Sequence, residues 1–319
     1  MNIKVGVLRG GVSSEYDVSL ESGRSVLENL TEERYDPFDV LITKDGEWSM
    51  NGYPTNPEKL SRTVDVVFNA LHGEYGEDGK VQRALDHFSV PYTGSGAFSS
   101  AIGMNKALSK YYFRQAGLLT PECRIVDKKR DVPDSIFRII RSMPGPYVVK
   151  PLAAGSSVGV SLVRDFHDLL SAVQEVLTYS PIVVVEEYIA GREVTASVVE
   201  SSDGNDLYPL PLVEVVLPDS ADIFDHEAKY SGEAQEVCPA DLHDEATRTI
   251  GGLAVQAHRA LGLRHYSRSD FILSDHGIYI LESNSLPGLT EESLLPKAIR
   301  ASGSSLPEFV DYVTLLALK

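Results

Sequence analysis

Cysteine is scarce in this chain of 319 residues: there are two, Cys123 and Cys238, far apart and neither in a CxxC pair. That argues against a disulfide framework or a thiolate metal centre, and buried free thiols in a reducing compartment are expected. Positive charge is also short. The 29 Lys and Arg face 46 Asp and Glu, a formal charge of -17, so neither nucleic acid nor an anionic membrane is expected as a partner. A local cationic pocket is still allowed. No apolar run reaches membrane-spanning length. The chain opens directly on Ile3-Lys4-Val5-Gly6-Val7-Leu8, without a basic region followed by a long apolar segment, and a cytoplasmic protein is expected. Repeats and low-complexity segments are absent too, and the length suits two or three domains with a substantial core.

The most informative stretch is 267–288. Two apolar runs, Phe271-Ile272-Leu273 and Ile278-Tyr279-Ile280-Leu281, flank the turn Ser274-Asp275-His276-Gly277, the pattern of a β-hairpin. Antiparallel pairing brings Asp270, which opens the first strand, beside Glu282, which closes the second, with Asn284 just beyond. Three converging oxygen donors suit Mg²⁺, a hard cation that fills its remaining positions with water and substrate phosphate. Arg268 shares a strand face with Asp270 because side chains alternate with period two. A cation there suits developing negative charge. Taken alone, the stretch is equally an ordinary hairpin with solvated charges at its ends.

Ile3 to Leu8 reads as a buried strand, and Gly10-Gly11-Val12-Ser13-Ser14-Glu15 as a turn into a helix, a frequent site for anions or small polar ligands. Glu15 would repel phosphate and attract an ammonium group, or it is simply an acid favoured at a helix N-terminus. A second buried strand, 64–71, ends at His72-Gly73-Glu74-Tyr75-Gly76-Glu77-Asp78-Gly79. Strands alternating with helices make residues 1 to about 100 a doubly wound α/β domain. A single helix carrying Met104-Asn105-Lys106 is expected to run to about Gly117. Tyr147 to Pro151 reads as a strand ending near Lys150. The Gly155-Ser156-Ser157-Val158-Gly159 loop after it can drape backbone N–H groups over phosphates, though it is no Walker A motif. Strands follow at 182–189, 193–200 and 210–216. The polar stretch between Pro218 and Cys238 reads as a lid or a surface excursion. Ser305-Leu306-Pro307-Glu308 is a capping box that starts the last helix.

Taken together, GGVSSEYDVSLESG, ALHGEYGEDG, YTGSG, MNK, VVKP with GSSVGV, VEEYI, EAKY, CPA, RSDF and LESNSLPG with TEESLLP resemble, in order, the D-alanine–D-alanine ligase family of the ATP-grasp superfamily. The resemblance covers nearly the whole chain. It implies an N-terminal α/β domain (1–101) followed by an ATP-grasp fold of two α+β domains (102–186 and 187–319), with ATP and two Mg²⁺ or Mn²⁺ ions held between the last two. It also implies a homodimer. By position, Lys106 and Lys150 match phosphate-contacting lysines, and Ser157 and Lys229 match further nucleotide contacts. Glu186, Glu187, Ile189 and Glu193 match contacts to adenine and ribose. Asp270, Glu282 and Asn284 match the metal ligands, and Arg268 the arginine at the tetrahedral intermediate. Glu15 matches the acid that holds the first D-alanine's amino group. His72, Tyr230, Ser293 and Leu294 match substrate-site residues, and Ser156 a partner of Glu15 and Tyr230 in lid closure.

Four departures from the family pattern stand out: Glu187 where lysine is frequent, Asn105 for aspartate, Ser285 for threonine, and His265-Tyr266-Ser267 for a smaller glycine-containing segment. None removes a metal ligand or the arginine. The rival readings are a ligase using D-lactate, D-serine or another amino acid, and a non-catalytic sensor of the same fold. The Lys229-Tyr230 pair favours the dipeptide, and the complete set of charged residues favours an enzyme.

Overall fold

The first apolar run becomes β1 (Ile3–Gly10), with Val5, Val7 and Leu8 fully buried. Apolar residues on both faces mark a strand at the centre of a parallel sheet. It pairs in parallel with β2 (Tyr35–Ile42) on one side and β5 (Val66–Asn69) on the other; β3 (Trp48–Met50) and β4 (Tyr53–Pro54) extend the β2 edge antiparallel, in the order β4-β3-β2-β1-β5. Helix α1 (Tyr16–Asn29) packs on β1. The computed structural model describes residues 2–153, 155, 159–218, 223 and 234–319.

After α2 (Pro57–Ser61) and α3 (Lys80–His87), the expected single helix around Met104 is instead two, α4 (Ala97–Met104) and α5 (Lys106–Gln115). Asn105 separates them. Its backbone is extended, at φ -88 and ψ 100, and its side chain accepts from the Leu108 N–H. Asn is as good an N-cap as Asp, so the departure from the family's aspartate keeps the break.

The middle sheet, in the order β6-β9-β7-β8, is antiparallel throughout: β6 (Cys123–Asp127), β7 (Tyr147–Pro151), β8 (Ser161–Val163) and β9 (Ile182–Glu187). With α6 (Val132–Ser142) and α7 (Phe166–Tyr179) it encloses its own core, including Ile136, Val149, Val173 and Val185. The third sheet runs β13-β12-β10-β14-β15, with β11 on β10: β10 (Arg192–Glu200), β11 (Leu207–Pro209), β12 (Val213–Val216), β13 (Gln235–Val237), β14 (Tyr266–Ser274) and β15 (Gly277–Asn284). The strand expected at 210–216 therefore begins only at Val213, a separate short strand, β11, precedes it, and the described end of the 218–238 stretch contributes a short strand to the sheet edge.

Two cores join distant parts of the chain. Ile102, Phe113 and Leu118 pack with Val194, Ile250 and Phe271. Val5, Val66 and Phe68 share a core with Tyr266, Leu286 and, from the helix Leu306–Ala317, Phe309, Val310 and Val313. That helix begins at the expected capping box, with both reciprocal bonds between Ser305 and Glu308 made.

Candidate active site

A cleft of about 1160 Å³ is lined by residues of the second and third sheets, by α1 and by the loops around them, including the one after β5. On the N-terminal side, β1 leads into Gly10 and Gly11 at φ +87 and +102, conformations that favour glycine. The chain then turns to Glu15 at the start of α1. Glu15 makes no side-chain cap of the helix, and its carboxylate lies against two glycine backbones. A Cβ on Gly73 would come within 2.6 Å of Glu15 Oε2, and one on Gly155 within 2.3 Å. The first loop, the loop after β5 and the glycine-rich loop after β7 therefore meet at one carboxylate.

His72 is buried between Ser22 Oγ, 2.8 Å from Nε2, and the Leu286 carbonyl, 3.1 Å from Nδ1. It ties α1 to the segment following β15. Glu77, also buried, accepts from the Gly73 N–H at 2.9 Å. Burial first, then the Glu15 charge, raises its carboxyl to about 8 against the weaker opposing pull of the Gly73 N–H and Arg268.

The middle sheet supplies Lys150 and Glu186, 2.8 Å apart and both buried. Burial opposes their charges, but their mutual attraction outweighs it: Lys150 is raised, with help from Glu282, and Glu186 is lowered by Lys110 and Lys150. Lys106 stands at the first position of α5, where the helix dipole disfavours a cation. It is held 3.3 Å from Glu282. A lysine at a helix N-terminus puts two sources of positive potential at one spot, an arrangement suited to phosphate.

The hairpin has the register expected: Asp270 opposite Glu282, Arg268 opposite Asn284, and a two-residue turn. Arg268 binds Asp270 through two 2.8 Å hydrogen bonds. Its burial is outweighed by Asp270, Glu282 and Glu77, so the guanidinium is held charged. Burial would raise Glu282, but Lys106, Lys150 and Arg268 outweigh it and hold this carboxylate at about 2. Asn284 Oδ1 accepts from the Leu286 N–H at 2.9 Å. Glu193, beside Thr195 on β10, is raised to about 8 by burial and by Asp270, against Arg268. Among the described residues, no three His, Cys, Asp or Glu side chains converge as a metal cluster. The donor set does fit a hard cation: two carboxylates and an amide oxygen, with the charge of Asp270 and Glu282 now balanced by Arg268 and Lys106.

Residues 112–315 match the family described as D-ala D-ala ligase C-terminus, and 4–59 and 50–95 match D-ala D-ala ligase N-terminus. The chain is 37% identical over 319 residues to the D-alanine–D-alanine ligase of Syntrophobacter fumaroxidans, covering 99% of this chain and 98% of the relative. This chain belongs to the D-alanine–D-alanine ligase family. Solved structures agree. The VanG D-Ala:D-Ser ligase of Enterococcus faecalis superposes with a TM-score of 0.87 at 29% identity, covering 99% of this chain and 100% of that one. The D-alanine–D-alanine ligase of Bacillus anthracis gives 0.80 at 32%, covering 98% and 97%.

In this ligase-family chain the cleft gathers Glu15, His72, Lys106, Lys150, Glu186, Glu187, Ile189, Glu193, Arg268, Asp270, Glu282, Asn284, Ser293 and Leu294. Glu187 Oε1 accepts from the Glu122 N–H at 2.8 Å, a strand-end contact that a lysine could not make. Ser293, at the start of the helix Leu294–Ala301, bonds Thr290 Oγ1 at 2.7 Å. His265 has φ +66, the conformation that suits the family's glycine, and its ring accepts from the Gly94 N–H at 3.1 Å. Ser156, Ser157, Lys229 and Tyr230, expected at the site, and with them most of the expected lid, lie outside the described residues. Two buried charges were missed. Glu77 sits in a loop already conspicuous for its charges, and Lys110 falls on the buried face of α5 with Lys106, Ser109 and Phe113. A lysine at i+4 on a face that also carries phenylalanine was the available signal.

Proposed function

We propose that this chain joins two D-alanine molecules, with ATP cleaved to ADP and phosphate, to supply the dipeptide for peptidoglycan precursors. The observation that carries the reading is the hairpin register, which sets Asp270 opposite Glu282 beside Arg268, in a cleft that also holds Lys106, Lys150 and Glu15. Cations and hard oxygen donors at one end suit a triphosphate, and an acid at the other suits an amino group. The three regions 1–101, 102–186 and 187–319 serve as the working division, with ATP between the second and third.

In this reading the carboxylate of the first D-alanine attacks the γ-phosphorus and ADP departs, leaving an acyl phosphate. The amine of the second attacks the acyl carbon, and phosphate leaves from the tetrahedral intermediate. Glu15 holds the first ammonium group, and His72 keeps the adjoining loop in place. Lys106 and Lys150 neutralise phosphate oxygens, and Arg268 stabilises the tetrahedral oxyanion. Glu193, largely protonated at neutral pH, can both donate to and accept from a ribose hydroxyl. Ser293 and Leu294 border the second amino acid. Asp270, Glu282 and Asn284 would hold two Mg²⁺ or Mn²⁺ ions, which supply charge neutralisation and orientation of the triphosphate.

The test is phosphate release from ATP and Mg²⁺ with D-alanine, L-alanine, D-serine, D-lactate or no addition. Release that requires D-alanine, with D-alanyl-D-alanine as product, is expected. Release without D-alanine, or a depsipeptide product, overturns the reading.

A further inference from the structure

Lys110 has no place in the reaction just described, yet it is the most deeply buried lysine of the site, at 0% exposure. Its ammonium lies 3.1 Å from Glu186 Oε2, 3.0 Å from Thr120 Oγ1 and 3.4 Å from the Leu281 carbonyl. Leu281 is the extra residue in the register shift opposite Asp270 and Phe271, and such a bulge leaves its residue outside the ladder. Lys110 thus joins α5, the end of the middle sheet and the strand carrying Glu282.

Two further observations separate this from an ordinary core salt bridge. Glu186 Oε2 receives both Lys110 and Lys150, so two ammonium groups share one carboxylate and the buried trio carries an excess positive charge. Glu282 offsets part of that charge at Lys150, and a buried charge left partly uncompensated favours an anionic ligand. Glu186 Oε1, on a side chain 2% exposed, meanwhile finds no hydrogen-bond donor among the described residues. One excess cation and one unfilled acceptor, side by side on the cleft wall, call for a ligand that is anionic at one place and carries an N–H at another. ATP has both, in its phosphates and the amino group of adenine.

We propose that Lys110 is a positioning residue for the nucleotide: by engaging one oxygen of Glu186 it leaves the other free for the base, and it fixes the shared carboxylate against which Lys150 is aligned. The inference rests on the ATP-dependent function above and deepens it. Guanine carries a carbonyl where adenine carries its amino group, so the same geometry disfavours GTP.

The experiment measures binding of Mg-ATP and Mg-GTP to the full chain by calorimetry without amino acid, for wild type, Lys110→Met, Lys110→Gln, Glu186→Gln and the double variant Lys110→Met/Glu186→Gln. Loss of a partner that orients a ligating group typically costs ~10-fold or more, and Lys110→Met should weaken ATP by that much while changing GTP about twofold or less. The double variant should bind ATP no worse than Glu186→Gln, because Lys110 acts through Glu186. The KM for D-alanine should stay within about twofold of wild type, since only nucleotide contacts change. If Lys110→Met does not fold, Lys110→Gln, which can still bond Thr120 and Leu281, decides. Parallel losses of ATP and GTP, an unchanged ATP preference in a folded variant, or additive effects in the double variant make Lys110 a structural ion pair and overturn the proposal. Wild-type turnover is scored separately. Tight ATP binding without D-alanine-dependent phosphate release would overturn the function and leave the Lys110 test standing, whereas absence of ATP binding would overturn both.

Discussion

Glu282 and Glu77 are the same residue type in one cleft, and the protein drives them apart. Glu282 is held at about 2 and Glu77 pushed to about 8. Both carry the penalty of burial. What differs is the balance of their company: Lys106, Lys150 and Arg268 outweigh burial at the first, while at the second Glu15 adds to burial against a weaker pull from Arg268. One end of the cleft is therefore built around an ionised carboxylate set among cations, suited to metal and phosphate. The other keeps one carboxyl neutral beside an acid that is to receive an ammonium group. The contrast shows that the polarity of a site is set by its neighbours and not by its residue types.

The sharpest way to break the contrast is Glu282→Gln, which removes the anion from the cationic end while keeping its shape. Turnover should fall by at least ~100-fold, the scale for losing a main source of transition-state charge stabilisation. The circular dichroism spectrum should stay native. Near-normal turnover in the folded variant would remove the hairpin from the chemistry. A milder intrusion at the opposite end is Gly155→Ala, whose Cβ would lie 2.3 Å from Glu15 Oε2. The carboxylate is the flexible partner and should swing away, so the fold survives. The KM for D-alanine should rise on the order of 10-fold, as expected for a misplaced positioning group. An unchanged KM would mean that Glu15 does not hold the amino acid.

A further effect is on stability and leaves turnover aside. Glu77 is raised in the folded chain from 4.5 to about 8, so between those pH values the unfolded state gives up its proton while the folded state retains it. Stability falls as pH rises through that window. Glu282 has the opposite sign: its contribution is present above 4.5 and is lost as pH falls towards 2. Glu77→Gln should therefore flatten the decline between pH 5 and 8, by roughly 1–3 kcal/mol in urea melts at the two ends of that range. Parallel wild-type and variant curves would show that Glu77 is ionised when folded.

Much of this was legible in the residues. Two apolar runs around a turn dictated the hairpin, and the places of Asp270 and Glu282 near its strand ends suggested their pairing; the bulge that sets Asp270 opposite Glu282 and not Leu281 had no signal in the residues. Capping chemistry at Ser305 marked the last helix. The break at Asn105 was less legible, because an asparagine within an apolar-periodic stretch reads equally as a tolerated interior residue; only its extended backbone makes it a cap. Nor could the charged loop after β5 declare which of Glu74, Glu77 and Asp78 turns inward, since that depends on the left-handed glycines at 73 and 79. Lys110 was hidden by its type, as lysine is normally assigned to the surface. Its place on the same helix face as Phe113 was a sign of burial that composition alone conceals.

The core that Val5 and Phe68 share with Phe309, Val310 and Val313 sets an order on biosynthesis. The first sheet is complete early, at β5, but the side chains that close one of its faces, from Phe309 on, lie about 240 residues downstream. At roughly 5–20 residues per second that is an interval of about 12–50 s. The middle sheet, whose core draws only on residues 126–185, needs no such wait. One face of the first sheet can likewise close early, on the core of Leu8, Val40, Leu71, Val81 and Leu85, so only its other face should stay open, as a site for chaperones, until the last helix arrives.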